Sequence, residues 1–143
     1  MGIRYRIDQE LGVTFALWEG TVTAGEFLEN AKRMIADPEW PPRRRLHLVD
    51  VRAASRGTGF DVSMMEEAAR LFVADPQKTD TMKVAIVAGQ MFQESTRFQE
   101  ILSRVSRQGT SVIVFNSIEV ACVWLGIDVH AAQEILRQLE TKP

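Results

Sequence analysis

The chain has 143 residues, enough for one domain that removes about 70% of its unfolded surface from water. With 45% apolar and 25% charged residues, nine Gly and five Pro, it is neither disordered nor of low complexity. A net charge of −2 gives no general attraction to nucleic acid or to anionic membrane, and neither is an expected partner.

From the N-terminus, Ile3, Tyr5 and Ile7 alternate with Arg4, Arg6 and Asp8, the period of a strand at a sheet edge with one wet face. After the turn Gln9 to Gly12, Val13 to Trp18 reads as a second strand, and the short connection allows only an antiparallel hairpin. Gly20 is expected to break it. Thr23 with Glu26 forms a capping box for a helix bearing Phe27, Leu28, Ala31, Met34 and Ile35, stopped at Asp37-Pro38. A proline-stiffened connector holding Trp40 and Arg43 to Arg45 reads as a solvated loop. Leu46 to Val51 is a strand buried on both faces, with His47 as a satisfied strand histidine.

Residues 52–61 then read as a ten-residue loop. Ser63 with Glu66 opens a helix to about Ala74, and Met82 to Ala88 is the next buried strand. A helix follows from about 91 to 107, then a last strand, Val112 to Phe115. Asn116 with Glu119 caps a short helix ended by Gly126, and Asp128 caps a final amphipathic one. Strands alternating with helices in this way require a mainly parallel sheet with right-handed crossovers.

Several pieces keep a characteristic order and spacing. They are Ile3–Asp8 with the Gly20–Thr23 segment, Asp37-Pro38, Leu48-Val49-Asp50-Val51-Arg52, Lys83 to Ala88, Val114 to Ser117, and Trp124-Leu125-Gly126. Together they resemble the SpoIIAA-like, STAS-type family of anti-sigma-factor antagonists, especially its small stand-alone bacterial members, over residues 3–126. The resemblance implies an α/β fold with a five-stranded mixed sheet. In it strands two to five are parallel in sequence order and strand one is antiparallel at the edge; the amphipathic C-terminal helix expected within residues 127–143 lies past where the resemblance stops. It also implies relatives that act by binding, to protein partners or, in the structurally similar Sec14/CRAL-TRIO class, to lipids. Those antagonists carry a phosphorylatable serine directly after the aspartate that ends strand three. Here Asp50 is followed by Val51 and Arg52, and the nearest hydroxyls are Ser55, Thr58 and Ser63, so that switch does not carry over.

Ligands of open α/β sheets bind outside the carboxyl ends of the strands, where segments 50–63, 89–92 and 115–118 are expected to meet. There Arg52 and Arg56 offer guanidinium forks, Ser55 and Thr58 offer hydroxyls, and Gly57 and Gly59 permit close backbone approach. These residues suit a small anion, or simply a long polar turn. Phe60, Met64, Met65, Met91 and Phe92 on the same edge suit either helix-end packing or an apolar cleft for a lipid-like ligand or a protein. Asp50 is either an acceptor for the backbone that follows it or a general base.

Cys122 falls at core spacing with Ile118, Ala121 and Leu125 and reads as a small buried hydrophobe; as the sole cysteine it points to a reducing, cytoplasmic setting. His47 and His130 are too distant from each other and from Cys122 in sequence to suggest a metal site, and no cofactor is expected. The N-terminus has no apolar core of a signal peptide, and no run approaches the roughly 18 apolar residues of a membrane span.

Three functions follow, in order. The first is a non-catalytic binding or regulatory module that engages a protein partner through residues 52–61 and the start of the following helix. The second is a carrier or sensor of a small lipid-like or anionic ligand in a cleft at that edge. The third is a small enzyme using Asp50 with Arg52 and Ser55. Ala132, Ile135, Leu136 and Leu139 form a stripe that covers either the chain's own sheet or a second copy in a homodimer, for which the first strand's edge is another candidate.

Overall fold

The computed structural model of the chain describes residues 2–42, 44–56, 82–89 and 110–140, together with positions 67, 70, 71 and 100. Its elements are β1 (Ile3–Asp8), β2 (Val13–Val22), α1 (Ala24–Ala36), β3 (Arg45–Arg56), β4 (Met82–Val87), β5 (Thr110–Phe115), α2 (Ile118–Leu125) and α3 (Val129–Leu139). Glu67, Arg70, Leu71 and Glu100 have helical backbone; the rest of the helices expected over 63–74 and 91–107 lies outside the described residues.

The five strands form one mixed sheet in the order β1-β2-β3-β4-β5, with β1 antiparallel to β2 and the other neighbours parallel. The parallel pairing is what the alternation of strands and helices requires, the antiparallel β1 follows from the short hairpin, and the sequential strand order is the one the STAS-type resemblance implied. The β1–β2 turn is closed by the Gly12 amide donating to the Asp8 carbonyl (2.9 Å) and by Leu11 N–H donating to the Asp8 carboxylate (2.9 Å). Gly12 has φ +70°, a backbone state that L side chains rarely adopt.

α2 and α3 cover one face of the sheet. Val13, Phe15 and Leu17 of β2, Leu48 of β3, and Ala85 and Val87 of β4 pack there with Ile118, Ala121, Cys122 and Leu125 of α2 and Ala132, Ile135 and Leu136 of α3. Full burial of one such side chain contributes about 1.5–3 kcal/mol relative to exposure. The stripe on α3 is therefore used by the chain's own core. The arginines on the supposed wet face of β1 anchor the same helix. Arg4 Nη1 donates to the Leu139 carbonyl (2.7 Å), and Arg6 Nη1 donates to Gln138 Oε1 (2.6 Å). A cation at the last carbonyls of α3 also complements the helix dipole.

On the opposite face Val51, Ile86, Ala88, Val112 and Val114 form a second cluster, bordered by Trp18, Val49 and Val84. Trp18 meets Phe27 of α1 with ring centroids 5.4 Å apart. α1 starts where the capping box predicts, Thr23 Oγ1 accepting from Glu26 N–H at 3.2 Å. The Glu26 carboxylate bonds the Gly2 amide (3.0 Å), tying the chain start to the helix.

Four expectations need correction. Gly20 does not end β2: the strand continues to Val22, with Gly20 at φ +65°. Residues 52–56 are not loop, because Ala53 to Arg56 pair with Glu19 to Val22 in a parallel extension of β2 and β3. Arg45 is not solvated; it opens β3 at 1% exposure. Its Nε and Nη2 donate to the carbonyls of Pro41 (2.8 Å) and Pro42 (3.3 Å), and its guanidinium lies 4.0 Å from the Trp40 ring centroid. The connector thus curls back on the strand it precedes. Finally, the N-cap of α2 is Ser117 and not Asn116, its Oγ accepting from Val120 N–H at 3.4 Å. Among the described residues no helix is long and apolar enough to cross a membrane.

Candidate functional site

β4 and β5 end together at one rim, level with Asp50 of β3, while β2 and β3 run on past it as a pair to Val22 and Arg56. Register pairs Asp50 of β3 with Val87 of β4 and Val87 with Phe115 of β5, and the Ala88 amide donates to the Phe115 carbonyl at 2.9 Å. Past this level the chain carries Arg52 within β3, Gly89 after β4 and Ser117 after β5.

Between Asp50 and Ala53 the pairing of β3 with β2 shifts. Leu17 faces Asp50 and Glu19 faces Ala53, so β3 has one residue more than β2 over this stretch. Such a bulge re-aims the side chains it carries. Here it brings Arg52 back onto Asp50: Nε donates to Oδ1 (3.0 Å), Nη2 donates to Oδ2 (2.9 Å), and the Arg52 amide donates to Oδ1 as well (3.0 Å). The Asp50 side chain is buried and that of Arg52 is 43% exposed. The hydrogen bond to Asp50, more than its charge, raises the guanidinium pKa above its usual value.

A guanidinium has five N–H donors, and this side-on pair takes two of them. The other three belong to a group whose orientation Asp50 already fixes. Gly89 (φ +54°) fits against this side chain, for a Cβ placed there would sit 3.2 Å from Arg52 Cγ. Beyond it stands Glu119, in the first turn of α2. The Ser117 hydroxyl donates to Glu119 Oε2 (2.8 Å). That bond, then Glu119's own backbone N–H, hold the carboxyl below its usual range, and the charge of Arg52 adds a smaller pull.

The sequence candidates are thus divided. Asp50 and Arg52 come together. Ser55 pairs across to β2, its Oγ 3.2 Å from Thr21 Oγ1, and not with Asp50. Asp50 therefore accepts from a neighbouring backbone amide, as one of its two readings has it, while no Asp50–Ser55 hydrogen bond forms. Arg56 has strand backbone paired with Val22. Thr58, Gly59, Phe60, Met64 and Phe92 lie outside the described residues, as do Gly57, Met65 and Met91. Gly89, Ser117 and Glu119 enter the site unannounced, because their relation to Arg52 depends on a bulge and on strand register.

At the other pole, Trp40 Nε1 donates to Nε2 of buried His47 (3.3 Å). Burial, with a smaller contribution from the charge of Arg45, lowers the His47 pKa to about 3, so the ring is neutral and Nε2 accepts. Cys122 is buried, and burial above all raises its thiol pKa. His130 is exposed. Among the described residues no three His, Cys, Asp or Glu side chains gather in a way that could hold a metal ion. In comparisons with known proteins, no family model matches the chain, and neither a curated protein nor a solved structure does.

Proposed function

We propose that the protein is a non-catalytic binding module of the STAS-like type, engaging a protein partner through the rim around Arg52. The observation that carries this reading is the side-on Asp50–Arg52 pair at the β3 bulge. Asp50 is engaged through both oxygens and serves to hold a half-exposed guanidinium in one orientation. Part of the ordering cost of an interface is thereby met before the partner arrives. An arginine presented in this way suits a carboxylate or a run of backbone carbonyls on a protein surface. The site extends from Arg52 along β3 through Ser55 and Arg56, and the sequence carries Thr58, Gly59, Phe60 and Met64 directly after it.

The test places a photo-crosslinking amino acid at exposed Ala53, next to Arg52, and for comparison at exposed Glu10 in the β1–β2 turn at the opposite pole. After irradiation in the source cells, the reading expects a discrete protein adduct from position 53, none from position 10, and loss of the adduct with Arg52→Ala. Equal adducts from both positions, or an adduct indifferent to Arg52, would overturn it. Native mass spectrometry of the purified chain supplies the second arm. A retained small-molecule mass would replace this reading with that of a ligand carrier.

A further inference from the structure

α2 has the sequence Ile-Glu-Val-Ala-Cys-Val-Trp-Leu, in which Glu119 is the only polar residue. A helix that is apolar all round is normally buried all round. The core takes Ile118, Ala121, Cys122 and Leu125, with Trp124 packed at its border against Phe115 of β5, ring centroids 5.7 Å apart. On the other side Val120 is 54% exposed and Val123 80%, and among the described residues these two are the only exposed large hydrophobics. They are three residues apart, so they share one face of the helix. Trp124, one turn on from Val120, is half-buried and lies under Lys83 Nζ, 5.2 Å from the ring centroid.

The charges around this patch are arranged end to end. Glu119 stands at the start of the helix, where Asp50 and Arg52 balance each other. Lys83 stands over its last turn. We propose that this face docks antiparallel on the same face of a second copy. Centring a two-fold axis between Val120 and Val123 sets each Val120 opposite the other copy's Val123. The same register sets each Glu119 opposite the other copy's Trp124, and so beside its Lys83. The acidic end of one patch meets the basic end of the other, twice, which is the reciprocity of an isologous contact. One short helix and its flanks lie at the low end of interface size, so the association is weak and depends on concentration.

Sedimentation velocity on the intact chain, from roughly 10 µM to 1 mM, covers the range such a contact implies. The expected result is a mean mass that rises towards two chains across this range. Val123→Asp abolishes the rise; the position is exposed enough for the fold to survive, as a matching circular dichroism spectrum and melting temperature would show. Glu119→Lys and Lys83→Glu each weaken association about tenfold, because every reversal acts at two symmetric pairs. The double variant, with the charges exchanged, recovers to within about threefold of the original. A monomer at all concentrations, an unimpaired Val123→Asp variant, or a double variant no better than either single one would overturn the proposal.

Discussion

Acidification should unfold this protein partly through His47. In the folded chain the imidazole is 4% exposed and accepts a hydrogen bond from Trp40, with its pKa lowered to about 3 by burial and then by Arg45. In the unfolded chain it titrates near 6.5. Below that value the unfolded state holds a proton that the folded state refuses. His47's contribution to stability is therefore complete above about pH 6.5 and declines as pH falls towards about 3. Each unit in that window removes about 1.4 kcal/mol, so pH 5 costs about 2 kcal/mol relative to pH 7. Urea unfolding of the protein and of His47→Gln at both pH values isolates the effect, since the carboxylates and His130 are common to both. The native chain should lose about 2 kcal/mol more than the variant, a midpoint about 1 M lower at an ordinary urea dependence. Equal losses would mean that His47 takes up its proton in place, and the buried Trp40–His47 arrangement would be wrong.

Two glycine substitutions should separate backbone strain from contact. Gly126→Ala, at φ +76° with open space for a Cβ, should cost about 1–2 kcal/mol. Gly89→Ala carries a similar strain, yet its Cβ would also press on Arg52, so it alone should reduce crosslinking from Ala53. Phe15→Ala empties a fully buried site between the sheet and the helices, and about 3–5 kcal/mol should be lost in chemical denaturation. Cys122 should react with an aromatic disulfide far more slowly in the native chain than in denaturant, because burial withholds the thiol and raises its pKa.

What could be read from the residues follows the range of the forces involved. The Thr23 cap, the stop at Asp37-Pro38 and the αL turn at Gly126 are local, and the alternation in β1 and the apolar run in β3 are nearly so. They fixed the order of elements and, with the parallel-sheet rules, a mainly parallel sheet with an antiparallel first hairpin, whereas the sequential order of the strands was expected only from the STAS-type resemblance. The ends of β2 and β3 were not legible. Gly20, Ala53, Ala54 and Ser55 are poor strand formers that stay extended because the two strands hold each other. Burial of Arg45 was equally invisible, since its acceptors are carbonyls of a connector that folds back. At the rim, Asp50 and Arg52 could be nominated from sequence, whereas the bulge that joins them and the approach of Gly89 and Glu119 are tertiary facts.

The most direct test of the rim is to keep the charge of residue 52 and remove its geometry. Crosslinking from Ala53 would be measured in the native background, in Arg52→Lys and in Asp50→Asn, with stability followed in parallel. A lysine cannot reproduce the side-on pair, and an asparagine cannot accept through both atoms. Both variants should therefore lose most of the adduct while remaining folded. Full crosslinking in Arg52→Lys would show that charge alone suffices, contradicting recognition through a guanidinium oriented by Asp50.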